Sequence, residues 1–428
     1  MPEGTLLAVF AVAVFVAVLA LFATEKLHRT PAALMGAVLV VVAGAIGQEE
    51  AVEAVNWETL GLLIGMMILV GILRGTGLFG YLAIRSAQLA GGRPGRILIY
   101  LGVVTAVLSA FLDNVTTVLL MFPMTLLLAD VLDEDPLPFL LLEVIASNIG
   151  GTATLVGDPP NIIIGTATGL SFNSFIVNLG PPVVVVLAVT LAILWFAWGR
   201  KMRFSEENRR EIFALDPAAS IADRSLLLRV GGVMGATVLG FFLQDLTGLN
   251  PAVVALAGAT LAMIVCRSDV EEALGDVEWP TILFFVGLFV MVGALEAVGI
   301  IGAIADYLGS ASDSLAVTAV TILWGSAIAS AVVDNIPFTA TMIPVVEGIG
   351  EARGYDASTL ETLWWSLALG ACLGGNATLI GASANLVVAG MAERHGLKIS
   401  FMRFMLVGLP LTVIAIAIST AYVLLFLL

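Results

Sequence analysis

The chain has 428 residues, of which 60% are apolar and only 12% are charged. Its mean hydropathy is +1.07 and its formal net charge is −15. Soluble globular domains carry about 25% charged residues. The composition therefore excludes an ordinary soluble enzyme, a collagen, a disordered chain and a small disulfide-stapled domain, and the acidic balance carries no nucleic-acid signature.

Long apolar runs recur along the whole length, which predicts an all-α polytopic membrane protein. The short alternating segments of an outer-membrane barrel are not visible. The first run, 4–24, follows no basic region and reads as a membrane helix rather than a cleaved leader. Spans follow at 31–47 and 58–74. Leu78–Ala90 is short and amphipathic, with Arg85 and Gln88 set against Phe79, Leu82 and Ile84, and reads as an interfacial helix. The stretch 97–129 is interrupted by Asp113-Asn114, and each half of it spans roughly 22–24 Å at about 1.5 Å per residue, short of a hydrocarbon core of about 30 Å. It is read as a re-entrant hairpin, whose irregular backbone is tolerated where it is buried in protein or faces a wet cavity.

The next span, 137–169, is broken at Gly157-Asp158-Pro159-Pro160-Asn161, because consecutive prolines cannot continue the preceding helix. Such a break aims free carbonyls and a helix N-terminus at one spot, with the hydroxyls of Thr152 and Thr154 beside it. A span at 175–199 and a charged linker at 200–225 complete the first half. The second half has spans at 226–243, 251–266 and 280–295, a second hairpin at 315–346 around Asp334-Asn335, a broken span at 360–391 and a last span at 404–428.

The halves match. Gly65, Gly71, Gly77 and Gly80 correspond to Gly287, Gly293, Gly299 and Gly302. Ser109 to Asn114 corresponds to Ser330 to Asn335, and Gly150 to Asn161 corresponds to Gly374 to Asn385. In this reading Ser383 replaces Asp158 and Cys372 replaces Asn148. Each half holds five spans and one hairpin, an odd number of crossings, so the copies are inverted: ten spans plus two hairpins, with broken helices at mid-membrane. With the N-terminus outside, every Lys and Arg except Arg353 falls in an inside loop, Lys26 and Arg29 among them. Inverted repeats joined by a cytoplasmic linker point to a secondary transporter. The expected division is 1–199 (scaffold 4–95, transport unit 96–199), the linker 200–225, and 226–428 (scaffold 226–313, transport unit 314–428).

Asp113 and Asp334 lie in the hairpin breaks, with nothing basic near them in sequence. An ionised carboxylate there is costly unless paired, hydrated or protonated. They are read as proton or sodium sites, with helix capping as the alternative. Asn114, Thr117, Asn148, Thr152, Thr154, Asp158 and Asn161 are the other candidate ligands of the first half, and Asn335, Asn376, Thr378, Ser383 and Asn385 those of the second. Glu143 is a further acidic candidate, or else a helix-face residue paired to a hairpin group. Cys372 is a thiol ligand or a small packing residue. Two cysteines and two histidines in separate places give no metal centre, and no cofactor is expected.

The runs Ser109-Ala-Phe-Leu-Asp-Asn-Val-Thr-Thr117, Asn148 to Asn161 and Asp334-Asn-Ile-Pro-Phe-Thr-Ala-Thr341 resemble the ion transporter superfamily. Within it they are similar to the ArsB/NhaD permease branch, which holds the melanosomal P protein and bacterial arsenite permeases. The resemblance implies a homodimer, and the charge count with ten spans gives an inner-membrane (plasma-membrane) protein with both termini outside. The resemblance also implies an elevator-like transport unit of hairpins and broken helices. Proton-coupled efflux of arsenite or antimonite is the first expectation. Sodium/proton antiport and an anion or pH-regulating conductance are the alternatives. An arsenite-stimulated ATPase, where one serves, would be a separate chain. The Asp-Asn tips depart from the Ser-Asn-Thr of the dicarboxylate carriers and disfavour di-anions.

Overall fold

The computed structural model describes residues 3–24 and 27–428, and all regular elements among them are helical. Lys26, counted above among the inside basic residues, lies outside the described residues. Eight described helices are long and apolar enough to cross a bilayer, and five shorter apolar helices accompany them. Helix starts follow side-chain chemistry. Asn56, Asp113, Ser171, Asp223, Asn250, Asp334, Asp356 and Ser400 each accept a backbone N–H of the turn they open.

The helix pairs flanking Asp113 and Asp334 are Pro94–Ser109 with Asn114–Val131, and Leu315–Val332 with Asn335–Arg353. Each pair packs on itself across the break. The arms hold 16 to 19 residues and run past the charges Arg96, Asp130 and Glu347 that ended the apolar runs in sequence. At about 1.5 Å per residue they approach full span length, so the break is a capped turn between long arms, not a shallow loop. The broken spans are Leu137–Gly151 with Pro159–Thr168, and Ala357–Gly374 with Ser383–Arg394. Asp158 and Ala382 occupy the same N-terminal flanking position on the second pieces. Ala382, not Ser383, is therefore the counterpart of Asp158, and Ser383 stands where the first half has Pro159.

The halves grip each other reciprocally. Helix Trp57–Arg74 packs on Pro251–Cys266, and Arg29–Val42 packs on Trp279–Ala297. A Cβ on Gly65 would lie 2.6 Å from the carbonyl carbon of Ala255, and one on Gly287 would lie 2.6 Å from that of Ala33. When residue i meets j′ and i′ meets j in this way, a two-fold relation holds. Only glycine lets the two backbones approach so closely. The halves also repeat a contact within themselves: Ser109 donates to Ser147 O and Ser330 to Ala371 O, each at 2.7 Å.

The linker carries the helix Glu206–Ala214 and is docked, not free. Gln88, at the end of the helix Leu78–Leu89, donates to Leu215 O at 2.9 Å, and Asn208 donates to Leu132 O at 2.6 Å. The counterpart of Leu78–Leu89 in the second half is Ile300–Ala311, which in sequence is nearly continuous with the apolar span before it.

Candidate functional site

The two helix breaks and the two hairpin turns meet in one buried polar cluster. Asn148 is its hub. Its amide donates to Asn376 Oδ1 and to Asn385 Oδ1, both at 2.9 Å, and its Oδ1 accepts from Asn114 at 3.0 Å. Asn335 donates to Asp158 Oδ1 at 3.3 Å. Cys372 donates its Sγ–H to Asn161 Oδ1 at 3.5 Å. Residues from both halves are therefore bonded side chain to side chain, and all of these are buried.

Other candidates are spent on the backbone. Asn161 donates to Thr152 O and Thr154 O at 3.0 and 2.9 Å, and Asn385 donates to Gly375 O and Thr378 O, both at 2.8 Å. Thr154 bonds Ala110 O, Thr378 bonds Ala331 O at 2.5 Å, and Thr152 bonds Asn148 O at 2.8 Å. The carbonyls freed by the breaks, expected above to be open to a ligand, thus already accept these side chains. An unpaired carbonyl in apolar surroundings costs free energy, and the Asn and Thr side chains remove that cost. Glu143 lies apart, with Thr125 of the adjacent hairpin arm donating to its Oε2 at 2.5 Å. Thr117 is buried, and its hydroxyl has no hydrogen-bond partner among the described residues.

The acidic groups divide between two cavities. Asp113 accepts the N–H of Thr116 at 3.0 Å as well as its hydroxyl, so the capping reading describes its local role. Asp113, Asn114, Asp158 and Asn335 line a chamber of about 20 Å³ together with Glu278, Arg29 and Ser383. Two buried acceptors of this lining, Asp158 Oδ2 and Asn114 Oδ1, have no hydrogen-bond partner among the described residues. Asp334 instead faces an open vestibule of about 630 Å³, which also carries His28, Arg29, Ser383, Arg394 and Lys398.

Two residues of this site were not found by sequence reasoning. Arg29, at the start of Arg29–Val42, pairs with Asp334 Oδ2 at 3.3 Å and bonds Ser383, whose hydroxyl also donates to Asp334 Oδ2 at 2.7 Å. Its guanidinium lies 5.6 Å from the Phe284 ring centre. Glu278, just before Trp279–Ala297, lines the chamber opposite. Both sit at ends of apolar runs, where a charge reads as an ordinary loop residue. The one available signal was that Arg29 directly precedes a span.

The chain was compared with known proteins. The model of a citrate transporter family (CitMHS) matches residues 19–370. An uncharacterized transporter of Mycobacterium tuberculosis, Rv2684, is 44% identical over 421 residues, covering 97% of this chain and 98% of that protein. The P protein of Mus musculus is 36% identical over 501 residues, covering 97% of this chain and 60% of that longer protein. Among solved structures, the YdaH transporter of Alcanivorax borkumensis has a similar fold. Its TM-score is 0.58 at 13% identity, over 87% of this chain and 86% of that one.

Proposed function

The chain belongs to the citrate transporter family and is a multi-pass membrane transporter, and on that premise we propose that it is a secondary transporter exchanging a small monovalent cation for protons by alternating access. One observation carries this reading. Two buried oxygens without partners, of Asp158 and Asn114, belong to the lining of an acidic chamber the size of about one water molecule. Acceptors without donors suit a proton or a dehydrated sodium ion. The chamber is too small for citrate or for arsenic trihydroxide, so either would have to bind in the vestibule.

The moving parts are the expected transport units, 96–199 and 314–428, which the Asn148 network knits together. The scaffold, 4–95 and 226–313, is knit by its reciprocal glycine contacts. With both termini outside the plasma membrane, the vestibule with His28, Arg394 and Lys398 opens to the cytoplasm, and the conformation is inward-open. A homodimer through the scaffold belongs to the same proposal.

A second reading, efflux of arsenite or antimonite, is favoured by the vestibule, whose volume of about 630 Å³ would admit arsenic trihydroxide. Proteoliposomes containing a pH dye separate the two. Proton movement evoked by Na⁺ that is lost in Asp158→Asn and Asp334→Asn supports cation exchange. Uptake of arsenite or citrate with no Na⁺ response overturns it.

A further inference from the structure

We propose that Arg29 is a tethered cation that plugs the passage between the vestibule and the ion chamber, using Asp334 as its seat. Arg29 and Ser383 are the residues that line both cavities. They are bonded to each other and both contact Asp334, so they form the wall between the vestibule of about 630 Å³ and the chamber of about 20 Å³.

The electrostatics fit a plug. The chamber is lined by Asp113, Asp158 and Glu278, and Asp334 lies at its mouth, while the basic lining residue is Arg29. A cation entering from the vestibule meets the guanidinium first. It reaches the carboxylates only by taking over the place that Arg29 holds on Asp334. One guanidinium nitrogen, Nη1, donates to both the Asp334 carboxylate and the Ser383 hydroxyl, a pair of contacts that an ammonium with its three donors could also make, so the positive charge and not the planar fork holds the plug.

The attachment is one that can be released. The Arg29 side chain is 29% exposed and that of Asp334 11%, so the pair is partly hydrated rather than locked in a dry core. Phe284 lies beside the guanidinium at 5.6 Å and offers a resting face for the displaced cation. Arg29 also belongs to the expected scaffold, whereas Asp334 and Ser383 belong to the expected transport unit. The plug therefore bridges the two parts whose relative motion transport requires. The inference deepens the exchange reading and rests on it for the identity of the displacing cation, but the wall itself does not.

Thiol access tests the wall without reference to any substrate. Met67 lines the chamber and is buried. Met67→Cys is made with Cys266 and Cys372 replaced by Ser and Ala, and labelled in vesicles with Ag⁺, a thiol-reactive monovalent cation small enough for the chamber, the remaining free thiol being titrated after denaturation. The plug predicts slow labelling in this parent. Labelling becomes at least about tenfold faster in Arg29→Gln and in Asp334→Asn, and stays within about threefold of the parent in Arg29→Lys, which keeps the charge. Equal rates in the Gln and Lys variants overturn the plug, as does an unchanged rate in Asp334→Asn. Should Arg29→Gln fail to yield folded protein, the Asp334→Asn and Arg29→Lys pair decides by the same criterion. If labelling follows the plug while Asp334→Asn still exchanges Na⁺ for protons, the plug stands and the coupling role of Asp334 falls.

Discussion

Asn335 reaches Asp158 at 3.3 Å, so the turn of the second hairpin is bonded to the helix break of the first half. That bond fixes one carboxylate oxygen and leaves the other, Asp158 Oδ2, buried without a partner. Asp158→Asn keeps the shape and one oxygen but removes the charge. Cation-coupled proton movement in proteoliposomes is expected to fall about ten- to a hundredfold, the scale of losing one charged ligand. The thermal midpoint in detergent should hardly change.

Asn148 supports three other asparagines at once. Asn148→Ala strands the amide of Asn114 and the Oδ1 atoms of Asn376 and Asn385, all of them buried residues. Each buried group left unpaired costs about 1–3 kcal/mol. We expect this substitution to destabilise more than Asn161→Ala, which strands two carbonyls of one local turn and the weak Cys372 thiol donor. Denaturation of the purified variants in detergent checks the order, and an equal or smaller loss for Asn148→Ala would refute the hub.

Gly65 and Gly287 occupy equivalent close approaches, to Ala255 and Ala33. Alanine at either should force the paired helices apart at a cost of about 1–3 kcal/mol. The reciprocal contacts predict similar costs for the two. Because the sites lie on different helix pairs, the double variant should lose close to the sum. Unequal single losses would show that the two interfaces are not equivalent.

Asp356 lies in an exposed turn before Ala357–Gly374, outside the spans. Its carboxyl is held below the ordinary aspartate range, first by the Thr359 hydroxyl and then by the backbone N–H of Thr359 and the hydroxyl of Ser358. A lowered folded value means the cap contributes fully above the unfolded pKa of about 3.9 and fades as pH falls through the lower folded value. The difference in thermal midpoint between the wild type and Asp356→Ala should be constant from about pH 7 down to about pH 5 and then shrink. A difference that grows on acidification would contradict this sign.

Much of the architecture was legible in the residues alone. Hydropathy over a window reports whether a segment prefers lipid, and the capping alternative weighed for Asp113 and Asp334 describes how both open their helices, because both effects act within a few turns. The match of Gly65 with Gly287, and of Asp113-Asn114 with Asp334-Asn335, announced the duplication for the same reason: a repeated local need leaves a repeated local spelling. What only the folded chain decided is which polar group meets which. Arg29 and Asp334 are 305 positions apart and Asn148 and Asn385 are 237 apart, separations at which no window carries information. Whether the carbonyls of the breaks stay open or accept Asn161 and Asn385, and whether Glu143 faces a cavity or Thr125, depends on how helices distant in sequence pack. In apolar surroundings an unpaired polar atom is expensive, so tertiary packing decides which side chains are consumed by structure and which, like Asp158, keep an unpaired atom.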